Sequence, residues 1–158
     1  MNFVIRLSNP EDAYLVHQVM ISAFEEYRNI DVPSSALNET VYSIQEAIKN
    51  GSEKALLCFV DGLALGSVRF KTDENTLYFS RLSVCPQARG KGIAKTMLKW
   101  LENYAQKHGK SEVWCRVRMS LPQNIQLYQS VGYTVYKEEE VINLNGFPVK
   151  TVIMKKEV

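Results

Sequence analysis

The feature that most constrains this chain is a strand, a glycine-rich turn and a long helix in direct succession. The run Leu77–Val84 is rich in β-forming residues, and Pro86 ends it. The turn Gln87–Gly92 follows, with two glycines and two cations. Apolar residues at helical spacing then predict an amphipathic helix from about Lys91 to Lys107.

Such a turn favours an anion. The first N–H groups of a helix have no internal partner, and the helix dipole adds partial positive charge at the same end. Phosphate groups commonly bind there. Gly90 and Gly92 would let a diphosphate approach the main chain, and Arg89 and Lys91 would add positive charge. The alternative is a surface helix whose cations are only solvated.

The remaining elements surround this segment. Further strands are predicted at Phe3–Leu7, Ala55–Val60, Leu63–Phe70 and Val113–Met119 and in two segments after Gly132; further helices are predicted from Ser8, over Leu37–Lys49 and over Pro122–Val131. Ser8 and Glu11 have the spacing of a capping box. Asp61-Gly62 and Asn145-Gly146 predict hairpin turns of type I′. Without repeats or linker-like breaks, the order predicts one mixed α+β domain over residues 1–158.

Composition excludes several classes of protein. The formal net charge is only +2, so charge gives no reason to expect nucleic-acid binding. No apolar run is long enough to cross a membrane, and no signal peptide is visible at the N-terminus. Cys58, Cys85 and Cys115 are too widely spaced for a metal pair and are expected to be buried thiols in a reducing cytoplasm.

Two common phosphate-binding motifs are absent from the turn. A P-loop would need glycines at Arg89 and Ala94, and the dinucleotide fingerprint would need one at Lys95. Instead, Gln87-Ala88-Arg89-Gly90-Lys91-Gly92 is similar to the [QR]-x-x-G-x-[GA] signature of the GNAT acyltransferase superfamily. The segment from Leu127 to Tyr133, Leu-Tyr-Gln-Ser-Val-Gly-Tyr, resembles the second landmark of that family. Both landmarks occur in the expected order and context.

The resemblance implies a fold and a co-substrate. It implies a three-layer fold with a mixed, mostly antiparallel sheet of about six or seven strands and helices on both faces. Strands 77–84 and 113–119 would be a parallel pair that splays apart, and the pantetheine arm of acetyl-CoA would fill the gap. The residues that the resemblance assigns to acetyl-CoA binding are Leu82, Ser83, Val84, Gln87, Arg89, Gly90, Lys91, Gly92, Ile93, Ala94, Asn124 and Tyr128. It implies no metal.

The resemblance also implies direct attack of an amine on the thioester within a ternary complex. Tyr128 matches the family tyrosine that protonates the departing sulfur, and a main-chain N–H near Leu82–Val84 would stabilise the oxyanion. Strand 77–84 carries no carboxylate, and Arg81 cannot act as a base. Glu25 and Glu26 are therefore the tentative bases, and a solvated helix end is the alternative for both.

Three other side chains have competing interpretations. Asn124, one helical turn before Tyr128, would bind the cofactor arm or simply begin a helix. His17 is expected to be a core residue, and His108 a cation at a helix C-terminus. Cys85 has no histidine near it in sequence, which favours a structural thiol over an acyl-enzyme nucleophile.

The site for the acceptor of the acetyl group is predicted in two segments. Residues 25–38 and the 145–148 hairpin are expected to form its walls, and the acidic and aromatic residues of the first segment suit a cationic amine. A small-molecule amine or amino acid is favoured as acceptor; a protein N-terminus or lysine is the alternative. A non-catalytic acetyl-CoA sensor is the alternative from another class. Neither nucleic acid nor membrane is expected as a partner, and pairing of two subunits through edge strands near the C-terminus stays open.

Overall fold

The structure is a computed structural model that describes residues 2–28 and 34–158. The strands in these ranges are β1 (Phe3–Leu7), β2 (Lys54–Val60), β3 (Leu63–Thr72), β4 (Thr76–Val84), β5 (Glu112–Arg118), β6 (Thr134–Ile142) and β7 (Pro148–Glu157). The α-helices are α1 (Ala13–Phe24), α2 (Val41–Lys49), α3 (Ile93–Lys107) and α4 (Pro122–Ser130). Short 3-10 helices cover Pro10–Asp12, Glu25–Tyr27, Ser35–Asn38 and Pro86–Ala88.

The described strands form one seven-stranded mixed sheet in the order β1-β2-β3-β4-β5-β7-β6. The pairs β1–β2, β2–β3, β5–β7 and β6–β7 are antiparallel. β4 and β5 are parallel, with Thr76 opposite Glu112 and Tyr78 opposite Trp114. Both strands continue past this register, to Val84 and Arg118. The predicted mixed sheet with a parallel pair is therefore confirmed.

The chain divides into two compact units. One unit takes in Met1–Lys71 and Ser80–Trp100, and the other takes in Thr72–Phe79 and Leu101–Val158. The first has a core in which α1 and α2 pack with β2, made of Ala13, Val16, Met20, Ala36, Ile44, Ala55 and Leu57. Each large apolar side chain buried there contributes about 1.5–3 kcal/mol. The description of residues 1–158 as one domain stays a prediction.

The start of the first helix differs from the prediction. The capping box is made by Asn9 and Asp12, not by Ser8 and Glu11, and the Asn9 N–H donates to Asp12 Oδ2 over 2.8 Å. Pro10 explains the difference. A proline fits the first helical position, and the residue before it must be extended, so Asn9 becomes the N-cap.

The second helix is shorter than predicted. Residues 35–38 form a separate 3-10 helix, and α2 starts only after Thr40. The Thr40 side chain accepts from the Ser43 N–H over 3.1 Å, and Glu39 and Thr40 are extended. This capping box starts α2 four residues after Leu37.

The two predicted hairpins have different turns. Asp61 and Gly62 both have positive φ, +50° and +86°, as a type I′ turn requires. At Asn145-Gly146 only the glycine does, so the type I′ prediction is wrong there. The Asn143 Oδ1 accepts from the N–H groups of Asn145 and Phe147, which holds a longer loop between β6 and β7.

Candidate active site

The turn between β4 and α3 is built around two left-handed glycines. The Cys85 N–H donates to the Leu65 carbonyl over 2.9 Å, which ties the end of β4 to β3. Gly90 has a φ of +80° and Gly92 a φ of +83°. A Cβ at either position would meet no atom of the described residues within 4 Å. The main chain at both glycines is therefore open to an approaching group.

Helix α3 begins immediately after Gly92, two residues later than predicted, because a left-handed residue cannot be part of the helix. The Gly92 carbonyl accepts from the Thr96 N–H over 3.0 Å and from the Thr96 hydroxyl over 2.7 Å. The Arg89 N–H already donates to the Pro86 carbonyl over 3.3 Å. The N–H groups of Ile93 to Lys95 come before the Thr96 bond and have no acceptor within the helix, so they are donors that an anion could meet.

A glycine in β3 positions this helix, and the sequence analysis missed it. A Cβ at Gly66 would lie 2.6 Å from Ile93 Cγ2 and 3.1 Å from Met97 Cε. Ile93 and Met97 are fully buried, so only glycine allows α3 to pack this closely on β3. An isolated glycine inside an otherwise β-forming run was the available signal.

The side chain of Arg89 turns toward the end of α1. Its guanidinium donates to Glu26 over 3.0 Å and to the Ala23 carbonyl over 3.2 Å. A predicted phosphate-binding cation and a tentative base thus contact each other. The pair is exposed on both sides, so it is worth about 1 kcal/mol at most. Gln87 and Lys91 are exposed.

The other tentative base, Glu25, is also paired. Arg28 Nε donates to Glu25 Oε1 over 2.6 Å, and Arg28 Nη2 donates to Glu25 Oε2 over 3.0 Å. This hydrogen bonding holds the pKa of Glu25 below its usual range. A lowered pKa makes the carboxylate a weaker base. Asp31, from the predicted acceptor segment, lies outside the described residues.

Both histidines bind main-chain carbonyls. His17 Nε2 is 3.0 Å from the Glu39 carbonyl oxygen. His108 Nδ1 is 2.8 Å from the Tyr104 carbonyl oxygen, and its ring stacks on Tyr104 with centroids 3.9 Å apart. These contacts give each ring a structural partner: His17 beside the start of α2, His108 at the end of α3.

Tyr128 lies on α4 and is buried. Its ring makes edge contacts with Phe79 and Tyr133, with centroids 5.6 and 6.0 Å apart. The Tyr133 N–H donates to the Tyr128 carbonyl over 3.0 Å. Burial raises the pKa of Tyr133, and the Glu102 carboxylate that accepts from its hydroxyl adds to the effect. Asn124, one turn earlier on α4, is half-buried.

The end of β4 contains a backbone feature that the sequence did not reveal. Arg81 has a φ of +56°, in the left-handed region, although it lies within a strand. The hydroxyl of Ser83 donates to the Arg81 carbonyl over 2.8 Å, and Ser83 is fully buried. Leu82 and Val84 are half-buried. The segment that was predicted to bind the cofactor arm therefore starts at a backbone kink.

The three cysteines are free thiols in the interior. All three thiols are buried, and burial raises the pKa of Cys58 and of Cys115. Within residues 2–28 and 34–158, no group of three or more histidine, cysteine or carboxylate side chains could hold a metal ion. No helix in the same ranges is long and apolar enough to span a membrane.

Comparison with known proteins identifies the class to which this site belongs. The profile described as Acetyltransferase (GNAT) family matches residues 17–133, which include both sequence landmarks. The chain therefore belongs to the GNAT acetyltransferase family. It is an acyltransferase, and acetyl-CoA is the co-substrate of that family. No curated protein matches it in sequence.

Solved structures share the fold at low identity. The PaiA N-acetyltransferase from Thermoplasma acidophilum, in complex with coenzyme A, has a TM-score of 0.81 at 19% identity, covering 100% of both chains. The ribosomal-protein alanine N-acetyltransferase from Escherichia coli has a TM-score of 0.78 at 15% identity, covering 99% of this chain and 94% of that one. A spermidine N-acetyltransferase chimera from Vibrio cholerae has a TM-score of 0.77 at 16% identity, covering 99% and 96%. At these identities the likeness shows the fold alone.

Proposed function

We propose that this protein transfers the acetyl group of acetyl-CoA to the primary amine of a small molecule or amino acid. Membership of the GNAT family supports an acetyl transfer. The observation that carries the proposal is the open turn at Gly90 and Gly92, which leads directly into the first turn of α3. The first N–H groups of a helix have no acceptor within it. A main chain of this shape is suited to a diphosphate.

The cofactor is held mainly by main-chain groups in this proposal. N–H groups of the segment Arg89–Ala94 bind the diphosphate, mainly those after Arg89, because the Arg89 N–H donates to the Pro86 carbonyl over 3.3 Å. The exposed Lys91 adds a positive charge. The main chain of Leu82–Val84 binds the pantetheine arm. Arg89 joins the phosphate site only if it exchanges Glu26 for a phosphate oxygen. That exchange costs little free energy, because the Arg89–Glu26 pair is exposed and weak.

The chemistry needs a donor for the departing sulfur and a donor for the oxyanion. Tyr128 is the proposed acid, because a tyrosine with an ordinary pKa of about 10 is protonated at neutral pH. A main-chain N–H of Leu82–Val84 is the proposed oxyanion donor. The attacking amine forms the new C–N bond and loses one proton, while the C–S bond breaks and the thiolate gains one. Glu25 and Glu26 stay the tentative acceptors of the amine proton, directly or through water, and the exposed Arg89–Glu26 pair is weak enough to open and release Glu26.

The nature of the acceptor rests on charge near the end of α1. Glu25 and Glu26 are exposed there, next to Tyr27. Each carboxylate is shared with an arginine, so a cationic amine would compete with Arg28 or Arg89 for it. The Vibrio cholerae neighbour is named for a polyamine and the Escherichia coli neighbour for a protein alanine. We favour the small amine, and keep a protein N-terminus or lysine as the competing acceptor.

A turnover screen tests the proposal. Purified protein is supplied with acetyl-CoA and panels of amines, amino acids and short peptides, and released CoA thiol is followed with a thiol reagent. The protein's own thiols are buried and will not add background. Turnover with amines or amino acids supports the proposal; turnover with peptides alone assigns a protein acceptor instead. Tight CoA binding without any turnover would assign a sensor. Dimer formation and a cytoplasmic location stay predictions from the sequence.

A further inference from the structure

The kink at Arg81 requires an explanation, because an L-residue in a strand rarely adopts a positive φ. Its φ of +56° lies where the Cβ crowds the following carbonyl, and such a conformation persists only when its surroundings impose it. The torsion angles of residue 81 set the orientation of the peptide group that joins it to Leu82. The kink therefore aims the first main-chain N–H of the segment Leu82–Val84.

The side chain of Arg81 reaches the 3-10 helix Ser35–Asn38. Arg81 Nη2 donates to the Ser35 hydroxyl over 3.0 Å, and Arg81 Nε lies 3.3 Å from Glu39 Oε2. Ser35 and Glu39 stand at the two ends of the 3-10 helix Ser35–Asn38, whose Ala36 is fully buried in the core. The anchor therefore belongs to a segment that is packed into the core.

The anchor is itself held by buried charge. The second oxygen of Glu39 accepts from Arg69 Nη2, and Arg69 is only 4% exposed. Arg69 Nε lies 3.3 Å from Glu53 Oε1. Among the described residues, Glu39 Oε2 and Arg69 Nε have no well-aligned hydrogen-bond partner, so the 3.3 Å contacts act through charge alone. The four alternating charges Glu53, Arg69, Glu39 and Arg81 thus connect the loop before β2 to β4.

Charges that are buried, as Arg69 is, or partly buried, as its partners are, cost desolvation energy and are weak evidence for stability by themselves. Their arrangement is more informative as a device that selects one conformation. On the C-terminal side of the kink, the Ser83 hydroxyl donates to the Arg81 carbonyl. The strand is therefore held before and after the peptide group that the kink reorients.

We infer that Arg81 is a positioning residue for acetyl transfer: through Ser35 and Glu39 it holds β4 in the left-handed kink that aims the main-chain N–H groups of Leu82–Val84. This inference rests on the proposed function, because those N–H groups matter only if they bind the thioester arm or its oxyanion. Arg81 acts through the backbone and does not contact the reacting atoms itself.

The test compares two substitutions that differ in backbone preference. Arg81→Ala loses the anchor and disfavours the kink, so kcat is expected to fall about tenfold, equivalent to about 1.4 kcal/mol of transition-state stabilisation. Arg81→Gly also loses the anchor but accepts a positive φ freely, so kcat is expected to stay within roughly threefold of the wild type. The KM for acetyl-CoA is expected to change less than kcat, because the diphosphate turn is untouched. Arg6→Ala serves as the matched control, because Arg6 is also an arginine in a strand, β1, and the substitution breaks its ion pair with Asp12.

The ranking of the variants decides the outcome. If Arg81 only stabilises the fold, Arg81→Gly should have the lower kcat, because glycine adds entropy to the unfolded state and leaves less folded protein. A lower kcat in Arg81→Gly than in Arg81→Ala, or equal kcat in both variants, overturns the inference. If Arg81→Ala does not fold, Ser35→Ala takes its place and is expected to lower kcat about threefold; an unchanged kcat there also overturns it.

Amide hydrogen exchange separates this inference from the proposed function. Faster exchange at residues 82–84 in Arg81→Ala, with unchanged exchange in Arg6→Ala, supports the anchor whether or not the protein turns over. Unchanged exchange in both variants refutes it. Absence of CoA binding and of turnover in the wild type would refute the proposed function and, with it, the role of Arg81 in acetyl transfer, whereas the exchange result would still decide whether Arg81 anchors β4.

Discussion

Replacing Gly92 by alanine tests the diphosphate turn most directly. The φ of +83° is accessible to glycine and disfavoured for alanine by about 1–2 kcal/mol. The new methyl group meets no atom of the described residues within 4 Å, so no clash adds to this cost. A stiffer unfolded chain offsets about 0.4–1 kcal/mol of it. We therefore expect a net loss of about 1 kcal/mol in the free energy of unfolding.

The same substitution should weaken coenzyme A binding. If alanine prefers a negative φ at position 92 by about 1.4 kcal/mol, the turn that aligns the N–H groups is populated about one tenth of the time. The apparent Kd then rises about tenfold. Isothermal titration calorimetry with CoA measures the Kd, and urea unfolding measures the stability.

Gly51→Ala is the matched control. Gly51 has a φ of +78°, no described atom within 4 Å of its Cβ position, and a place in the turn after α2. Its stability loss should equal that of Gly92→Ala, about 1 kcal/mol or a fall of about 2–4 °C in Tm, while its Kd for CoA stays within about twofold of the wild type. Equal Kd values for the two variants would refute the assignment of the turn to the diphosphate.

Three further predictions concern the acid, the core and pH. Tyr128→Phe should lower kcat about a hundredfold with little change in KM. Tyr14→Phe, which changes an exposed tyrosine, should leave kcat unchanged. A kcat of Tyr128→Phe within threefold of the wild type in steady-state kinetics would refute the role of Tyr128 as the acid. Leu57→Ala should cost about 2–5 kcal/mol in urea unfolding, and the exposed Leu63→Ala less than about 0.5 kcal/mol; equal losses would contradict the assigned core. The hydrogen bond from Arg6 holds the pKa of Asp12 below its usual value of about 3.9. The free energy of folding that this ion pair contributes is therefore complete above a pH of about 3.9 and is lost as the pH falls through the lower pKa of the folded state. Asp12→Asn should flatten the acid side of the profile of stability against pH, and an unchanged profile would show that another group dominates it.

Local sequence signals predicted much of the fold because their causes are local. Asp61 and Gly62 accept positive φ with little strain, so their turn could be predicted from two residues. The same logic failed at Asn145-Gly146, where the side chain of Asn143 competes for the N–H groups of the loop. At the first helix, the effect of Pro10 on its neighbour outweighed the capping-box spacing of Ser8 and Glu11.

The candidate site divides in the same way. The glycines of the turn and the tyrosine of α4 were visible in the sequence, because each motif is a short continuous segment. The pairing of Arg89 with Glu26 was not visible, because 63 residues separate them. It changes how both are interpreted, since a phosphate-binding cation and a tentative base now neutralise each other.

The sequence by itself determined the strand, the open glycine turn and the helix that follows it, because backbone preferences and helix-end electrostatics act over a few neighbouring residues. Only the tertiary structure decided that β4 kinks at Arg81 and that the Arg81 side chain lies in a partly buried row of charges. Arg81 reaches back 46 residues to Ser35, and a contact across such a distance depends on how the elements pack, which no local pattern encodes.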